Sequence, residues 1–321
     1  MKAGVASPNG VVIQDVPQPK PKPTDILVKI KAIALNRADL GSAKGDASHG
    51  SAAGNPIGSE FSGEVVEAGA QVRDFKVGDR VMCHSPGSHA EYAVSDYGRA
   101  MKIPDGMDFE QAATLPIGLN TLHNALVTAG RLRAGESVMV QGASSGVGII
   151  GLKVAKLMGA KFVVGTSTNE ARRARLKEFG ADLAVDTRDP KWPEQVLKAT
   201  DGKGVNLTVD MLSGPTVSQT MQATALLGRI VNIGRLAGMK AEFDFDLHAR
   251  KRIDYIGVTF RTRTVEEVRE ILVKMRADLW DDVKGGRIRV PIDKTYPLAE
   301  ARGGHDHMRG NAHFGKILLI P

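Results

Sequence analysis

The residues with the most chemical content lie in one run, Gln141-Gly-Ala-Ser-Ser-Gly-Val-Gly-Ile-Ile-Gly151. It follows the strand-like stretch Ser137-Val-Met-Val140 and opens a segment with helical spacing. It therefore stands where a strand gives way to a helix, the setting a dinucleotide fingerprint requires. A turn of this kind offers backbone N–H groups to an anion, and the helix dipole adds to the attraction. Two registers are open. A literal G-x-G-x-x-G runs through Gly146, Gly148 and Gly151, with its first glycine well past the strand end. The other register puts Ala143, Ser145 and Gly148 at the three positions, with the tight turn at the strand end. Geometry favours the second, because a pyrophosphate needs the first helical N–H groups, here near Gly146 and Val147. Gly148 and Gly151 then share one helix face and permit close packing on a sheet.

The next strand signal chooses the nucleotide. An NAD site usually ends this strand with an acid that bonds the ribose 2′-hydroxyl. Here Val163-Val-Gly-Thr-Ser-Thr168 ends without one, and Arg172, Arg173 and Arg175 follow. The hydroxyls of Ser167 and Thr168 with a guanidinium suit the 2′-phosphate of NADP, to which arginine presents a bidentate fork. A solvated basic helix face would carry the same arginines, but the missing acid favours NADP.

The elements that must position this turn alternate. Strands are expected at Ser137–Val140, Lys161–Val164, Leu183–Val185, Val205–Val209, Arg229–Ile233 and Ile253–Val258. Helices are expected through about Met158 and over Glu170–Phe179, Pro193–Ala199 and Val217–Leu226. Such alternation means βαβ units and a parallel sheet. Before residue 118 the pattern differs. Four prolines between Val16 and Asp25 forbid both a helix and a paired ladder there. Short strands at Ile26–Ala32, Glu64–Glu67, Asp79–Met82 and Glu91–Val94, punctuated by glycine, suggest a small β-barrel-like unit. A helix over Val265–Met275 and a strand over Phe314–Ile320 return to that mixed pattern. The α/β unit is thus expected at 118–257, inserted between 1–117 and 258–321. Gly303-Gly304 interrupts a presumed helix.

Composition narrows the class. With 42% apolar and 25% charged residues the chain is an ordinary globular protein, neither disordered nor collagenous. No apolar run approaches the ~20 residues a membrane span needs. The first residues, with Asn9, Gln14 and Asp15, resemble no secretory signal. A single cysteine, Cys83, closes no intrachain disulfide and fits a reducing, cytoplasmic setting. The net charge of +7 suits an anionic cofactor or a nucleic acid.

The blocks Leu35-Asn-Arg-Ala-Asp-Leu40, Ile57-Gly-Ser-Glu-Phe-Ser-Gly63, Phe75-Lys-Val-Gly-Asp-Arg-Val81, Gly142-Ala-Ser-Ser-Gly-Val-Gly148, Glu178-Phe-Gly-Ala-Asp182, Gly204-Val-Asn-Leu-Thr-Val-Asp210 and His313-Phe-Gly-Lys-Ile-Leu318 resemble those of the zinc-free medium-chain dehydrogenase/reductases, in the quinone oxidoreductase (zeta-crystallin-like) branch. They cover nearly the whole chain in family order. The resemblance implies a doubly wound Rossmann domain inserted into a GroES-like barrel-type domain, NADPH in the cleft between them, and a homodimer or homotetramer. Carried over residue by residue, it sets Asn36 beside the nicotinamide and Thr121 just before the first Rossmann strand. Ser144, Gly146 and Val147 would hold the pyrophosphate, and Ser167, Thr168 and Arg172 the adenosine phosphate. Ile233, Gly234 and Arg235 would run under the cofactor, and Thr259, Phe260 and Asn311 would close on the nicotinamide side.

The sequence also departs from the family. Gly41 and Ala47 stand where many members carry tyrosines, and Thr187 where one often stacks near the adenine. The expected substrate loop, Ser42 to Asn55, matches no readable pattern. Zinc members of the wider superfamily carry a histidine where this chain has Ser59, and they need further cysteine ligands. With Cys83 as the only thiol no zinc site is expected. His84 and His89 flank a Pro-Gly turn as a possible metal pair, although surface histidines are the commoner reason for such spacing. His305 and His307, two apart on a presumed helix, should point away from each other.

The expected reaction is NADPH-dependent reduction of a quinone or α,β-unsaturated carbonyl. The cofactor carries the hydride, and water can supply the proton, so no dedicated general acid is expected. Arg261 and Arg263 are candidates for steadying a developing oxyanion. A 2-enoyl thioester reductase or other activated-alkene reductase is the near alternative, and it would want a tyrosine-type donor. An NADPH- and RNA-binding protein is the remote one. Its basic runs, Arg172 to Arg175 and Arg250 to Arg252, lack interleaved aromatics for base stacking, so no nucleic-acid partner is expected.

Overall fold

The computed structural model describes residues 1–45 and 54–321, so Ala47 and most of the Ser42 to Asn55 loop lie outside the described residues. Along the chain come β1 (Lys2–Ser7), β2 (Gly10–Asp15), β3 (Asp25–Ala34), α1 (Asp39–Ser42), β4 (Glu60–Ala68), β5 (Arg80–His84), β6 (Tyr92–Asp96), β7 (Ala100–Lys102), α2 (Phe109–Ala113) and α3 (Pro116–His123). Next are β8 (Ser137–Val140), α4 (Gly146–Leu157), β9 (Phe162–Thr166), α5 (Glu170–Arg175), β10 (Leu183–Val185), α6 (Trp192–Ala199), β11 (Val205–Asp210), α7 (Val217–Ala223), β12 (Thr224–Asn232), α8 (Phe245–Lys251) and β13 (Asp254–Gly257). The last are α9 (Val265–Lys284), β14 (Ile292–Pro297), α10 (Ala301–Arg309) and β15 (Lys316–Ile320). Two compact units result, Gly118–Thr259 and Met1–Ile117 with Phe260–Pro321. Val258 and Thr259 therefore belong to the first of these, two residues beyond the boundary expected at 257.

Within Gly118–Thr259 the sheet is six-stranded and parallel, in the order β10-β9-β8-β11-β12-β13. Every residue of β8 is buried, as a parallel strand covered on both faces demands. Met139, Val164, Val196 and Trp192 pack on one another in its core. The strand order turns at β8, which lies between β9 and β11. In open α/β sheets such a switch point is where ligands bind, outside the carboxyl ends of the strands.

In the other unit the order is β14-β15-β3-β4-β5-β7, with β6 paired to β3. β1 and β2 form a separate hairpin. Alternate residues of β3, β4 and β15 meet around Phe61, with Ile33, Leu35 and Ile317. Of the glycine pair in α10, Gly304 has a packing reason and Gly303 has room for a Cβ. A Cβ at Gly304 would come 3.1 Å from both Leu319 and Leu35, and one at Gly303 3.5 Å from the Tyr296 ring. Among the described residues no helix is long and apolar enough to cross a membrane.

Three expectations about elements are corrected. The helix expected over Val217–Leu226 stops at Ala223. Leu227 takes a φ of 59°, and the bulged start of β12 exposes Leu226 and Leu227. The helix expected over Val265–Met275 runs on to Lys284. Its buried stripe, Val268, Ile271, Leu272, Met275, Leu279 and Val283, keeps helical spacing throughout, and Thr264 with Glu267 closes a capping box. The helix expected to reach Phe179 tightens into a 3-10 turn after Arg175.

His305 of α10 and His89 meet with Nε2 atoms 3.0 Å apart, both buried, while His307 turns to Tyr296 and Asp293. The two helix histidines thus point apart, as their spacing required. Burial holds the His89 imidazole well below its ordinary range and brings His305 down to about 4. Such groups bind protons more readily when unfolded, so stability is full above about pH 6.5 and declines as pH falls toward 4. Urea midpoints should drop over that window, and His305→Gln should flatten the drop. An unchanged pH slope in the variant would refute this origin.

Candidate functional site

The glycine-rich run is a turn between β8 and α4. Gly142 makes the reversal with a φ of 65°, and its N–H donates to Thr166 Oγ1 at 3.0 Å. Ser145 caps α4. Its Oγ accepts the Gly148 N–H at 3.0 Å and donates to the Gly142 carbonyl at 2.9 Å. The helix therefore opens with the N–H groups of Gly146 and Val147, which have no intrahelical partner at a helix start. Gly148 must be glycine, because a Cβ would fall 2.5 Å from the Gly142 carbonyl oxygen. At Gly151 a Cβ would come 2.8 Å from Leu122 and 3.2 Å from Val140. The turn fits a pyrophosphate: backbone donors at a dipole end.

The end of β9 lies beside this turn. Ser167 Oγ lies 3.1 Å from Ser144 Oγ, joining the two strand ends. Thr168 is exposed, and Asn169 caps α5 by accepting the Arg172 N–H at 2.9 Å. Arg173 turns away from the strand-end hydroxyls. It donates to the Ser167 carbonyl at 2.9 Å and to Asp186 at 3.1 Å, while Arg175 pairs with Glu178. The strand itself ends without an acid, but β10 brings one alongside. Asp186 follows β10 directly and binds Arg188 as well as Arg173, and the Arg188 hydrogen bond holds its carboxyl at about 2. Arg188 also donates to the Thr168 carbonyl. Pairing along one strand could not show this neighbour; the Val185-Asp186-Thr-Arg188 strand end was its signal.

After β12, the N–H groups of Ile233 and Gly234 donate to the Asp210 carbonyl at 2.9 and 3.2 Å. A Cβ on Gly234 would fall 2.6 Å from the Met211 carbonyl oxygen, so the loops after β11 and β12 touch along their backbones. Arg235 is exposed beside them. Asp210, its carboxyl pushed up by burial, accepts the N–H groups of Leu212 and Ser213 at 2.8 Å each. Thr121 is half-buried on α3, and Thr259 half-buried at the end of this unit.

In the other unit Asn36 sits in a buried polar cluster that sequence reasoning did not foresee. Its Oδ1 accepts from Lys316 Nζ at 2.8 Å, and its Nδ2 donates to Glu60 Oε2 at 3.0 Å. Lys316 Nζ lies 2.5 Å from the same Glu60 oxygen, and the other Glu60 oxygen accepts the Ile117 N–H at 2.6 Å. The Asn36 N–H donates to Asp39 at 2.8 Å, and burial pushes that carboxyl up to about 7. The carboxamide is held at both ends. A lysine inside the apolar run Phe314–Ile320 was the one available sign. Asn311 is exposed, with a φ of 56°, and accepts from Arg37 at 2.8 Å. Phe260 lies edge-on to His84, and Arg263 sits 6.0 Å from the same ring with Glu267 at 3.8 Å. Arg261 is exposed.

These residues do not fit a zinc site. Ser59 offers no ligand nitrogen, and Glu60 is committed to Lys316 and Asn36. The Cys83 thiol is buried and pushed up to about 12. His84 and His89 take different partners, Phe260 and His305. Among the described residues no three His, Cys, Asp or Glu side chains are grouped to hold a metal.

Comparison with known proteins agrees with this architecture. Residues 22–105 match the alcohol dehydrogenase GroES-like domain, and residues 146–276 match the zinc-binding dehydrogenase family model. The rat (Rattus norvegicus) quinone oxidoreductase is 30% identical over 309 residues, covering 95% of this chain and 92% of that one. A mycobacterial protein solved in complex with NADPH superimposes with a TM-score of 0.90 at 26% identity, over the full length of both chains. A mycocerosic acid synthase-like polyketide synthase from Mycolicibacterium smegmatis is 29% identical over 93% of this chain, which spans 14% of that much longer protein. With a parallel nucleotide-binding sheet, a GroES-like unit and a full-length relative at this identity, the chain belongs to the medium-chain dehydrogenase/reductase family, in its quinone oxidoreductase branch.

Proposed function

We propose that the protein reduces a quinone or an α,β-unsaturated carbonyl by hydride transfer from NADPH, without zinc. The observation that carries the cofactor choice is the end of β9. Ser167, Thr168 and Arg172 stand there, and the nearby carboxylate, Asp186, is already shared by two guanidiniums. A paired carboxylate is a poor acceptor for a ribose hydroxyl, whereas the hydroxyls and guanidinium suit a phosphate. Ser144 and the N–H groups of Gly146 and Val147 hold the pyrophosphate, with Ile233, Gly234 and Arg235 beneath. Asn36, its carboxamide fixed by Lys316 and Glu60, orients the nicotinamide, and the family resemblance assigns Thr121, Thr259, Phe260 and Asn311 to the same group. Bound NADPH supplies the hydride; the chain's part is to bind and align, and solvent supplies the proton.

The test is a panel of quinones, enones, haloacrylates and enoyl thioesters, scored by NADPH oxidation. Quinones or enones should give the highest kcat/KM. The polyketide synthase relative favours one second reading, a 2-enoyl thioester reductase, and turnover of thioesters alone would establish it. Purified protein should contain no stoichiometric zinc, and chelation should leave activity intact. Stoichiometric zinc lost together with activity would overturn the zinc-free reading.

A further inference from the structure

His84 closes β5 opposite Glu60, and Cys83 pairs with Ala100, so Arg99, the last residue of the 3-10 turn before β7, comes near enough for its charge to act on the His84 imidazole. Glu60 and His84 are thus cross-strand neighbours in the GroES-like unit, with Arg99 at the turn into β7. Glu60 is occupied by Lys316, Asn36 and the Ile117 N–H. Arg99 has no such partner. Asp96, three residues before it, gives both carboxylate oxygens to Arg269 at 2.9 and 2.6 Å, and Arg269 lies over the Tyr97 ring. Arg99 Nε and His84 Nδ1 are both buried without a hydrogen-bond partner. Burial, with Arg99 and Lys316 nearby, holds the His84 imidazole neutral, at about 3. Its ring stands edge-on to Phe260 at 5.0 Å, fixing its plane. A guanidinium N–H always donates, and the imidazole Nδ1 donates in the tautomer that carries its proton there, so both groups can serve one oxygen.

We propose that His84 and Arg99 together bind the carbonyl oxygen of the acceptor as it becomes an oxyanion. The inference rests on the reaction proposed above. With bound NADPH as the donor, hydride would add to the electrophilic carbon and the π electrons would shift onto the carbonyl oxygen, with NADP⁺ as the oxidised product. Arg99 and the His84 Nδ1–H donate to that oxygen, and water then delivers the proton that completes the hydroquinone or saturated carbonyl. A guanidinium beside a neutral imidazole suits a charge that appears only in the transition state. Arg263, expected from the sequence for this task, faces Glu267 instead.

Arg99→Met and His84→Ala should each lower kcat/KM for quinones and enones roughly 10- to 1,000-fold, chiefly in kcat, with NADPH affinity within about twofold of the parent. His84→Asn keeps a side-chain N–H and should recover part of the loss. The double variant should lose less than the product of the single losses, because both groups serve one atom. Calorimetry with 4-nitrophenolate, an oxyanion probe, should show weaker binding to Arg99→Met without any turnover. Wild-type kcat/KM in both single variants, or loss of NADPH affinity in step with activity, would overturn the assignment. If the parent protein reduces none of the acceptors, the proposed reaction itself falls, and this subsite falls with it.

Discussion

Lys316→Met should destabilise the protein by about 3–5 kcal/mol, the usual result of removing one partner from a buried ion pair. Lys316 is 3% exposed and Glu60 fully buried, so the substitution leaves a carboxylate in the core with only Asn36 and a backbone N–H to hold it. The penalty is desolvation that nothing offsets, more than any attraction lost. Pairing Lys316→Met with Glu60→Gln should restore much of the stability, since no charge then remains unpaired. Urea unfolding should show a lower midpoint at unchanged slope for the single variant. A single variant within about 1 kcal/mol of the parent would mean the pair is open to water.

The other large effect concerns the nucleotide. Arg172→Ala should weaken NADPH binding by roughly 10- to 150-fold, the worth of one charge-assisted contact of ~1.5–3 kcal/mol, and leave NADH binding nearly unchanged. Asp186 holds Arg173, whereas Arg175 pairs with Glu178 only at the surface and can retain part of the phosphate energy. Adding Ser167→Asp sets an acid near the ribose 2′-position and repels phosphate, so the double variant should invert the preference. Dissociation constants for both cofactors decide the matter. If the double variant keeps the parent ratio, the phosphate is bound elsewhere.

What could be read in advance was whatever depends on local pattern. The switch from Gly-punctuated strands to strand–helix alternation marked the parallel unit. The turn at Gln141–Gly151 carried its own geometry, because glycine and serine at a strand end leave few ways to begin a helix. The nearness of Glu60, His84 and Arg99 depends on register between β4 and β5 and on the turn into β7, and no periodicity within one strand reports register. Asp186 reached β9 through the neighbouring strand for the same reason. Lys316 was hidden differently: it reads as a polar interruption of an apolar strand until its partner, 256 residues earlier, is placed beside it.

That separation bears on how the chain is made. A ribosome releases Gly118–Thr259 before Lys316 exists, and every strand of its parallel sheet is then already available. The unit begun first has to finish last. β3 waits for β15, which pairs Leu318 with Ala34, and until then Glu60 keeps its water and the sheet keeps an open edge. The strands of one unit can thus assemble while the other still lacks β15, the partner that β3 needs.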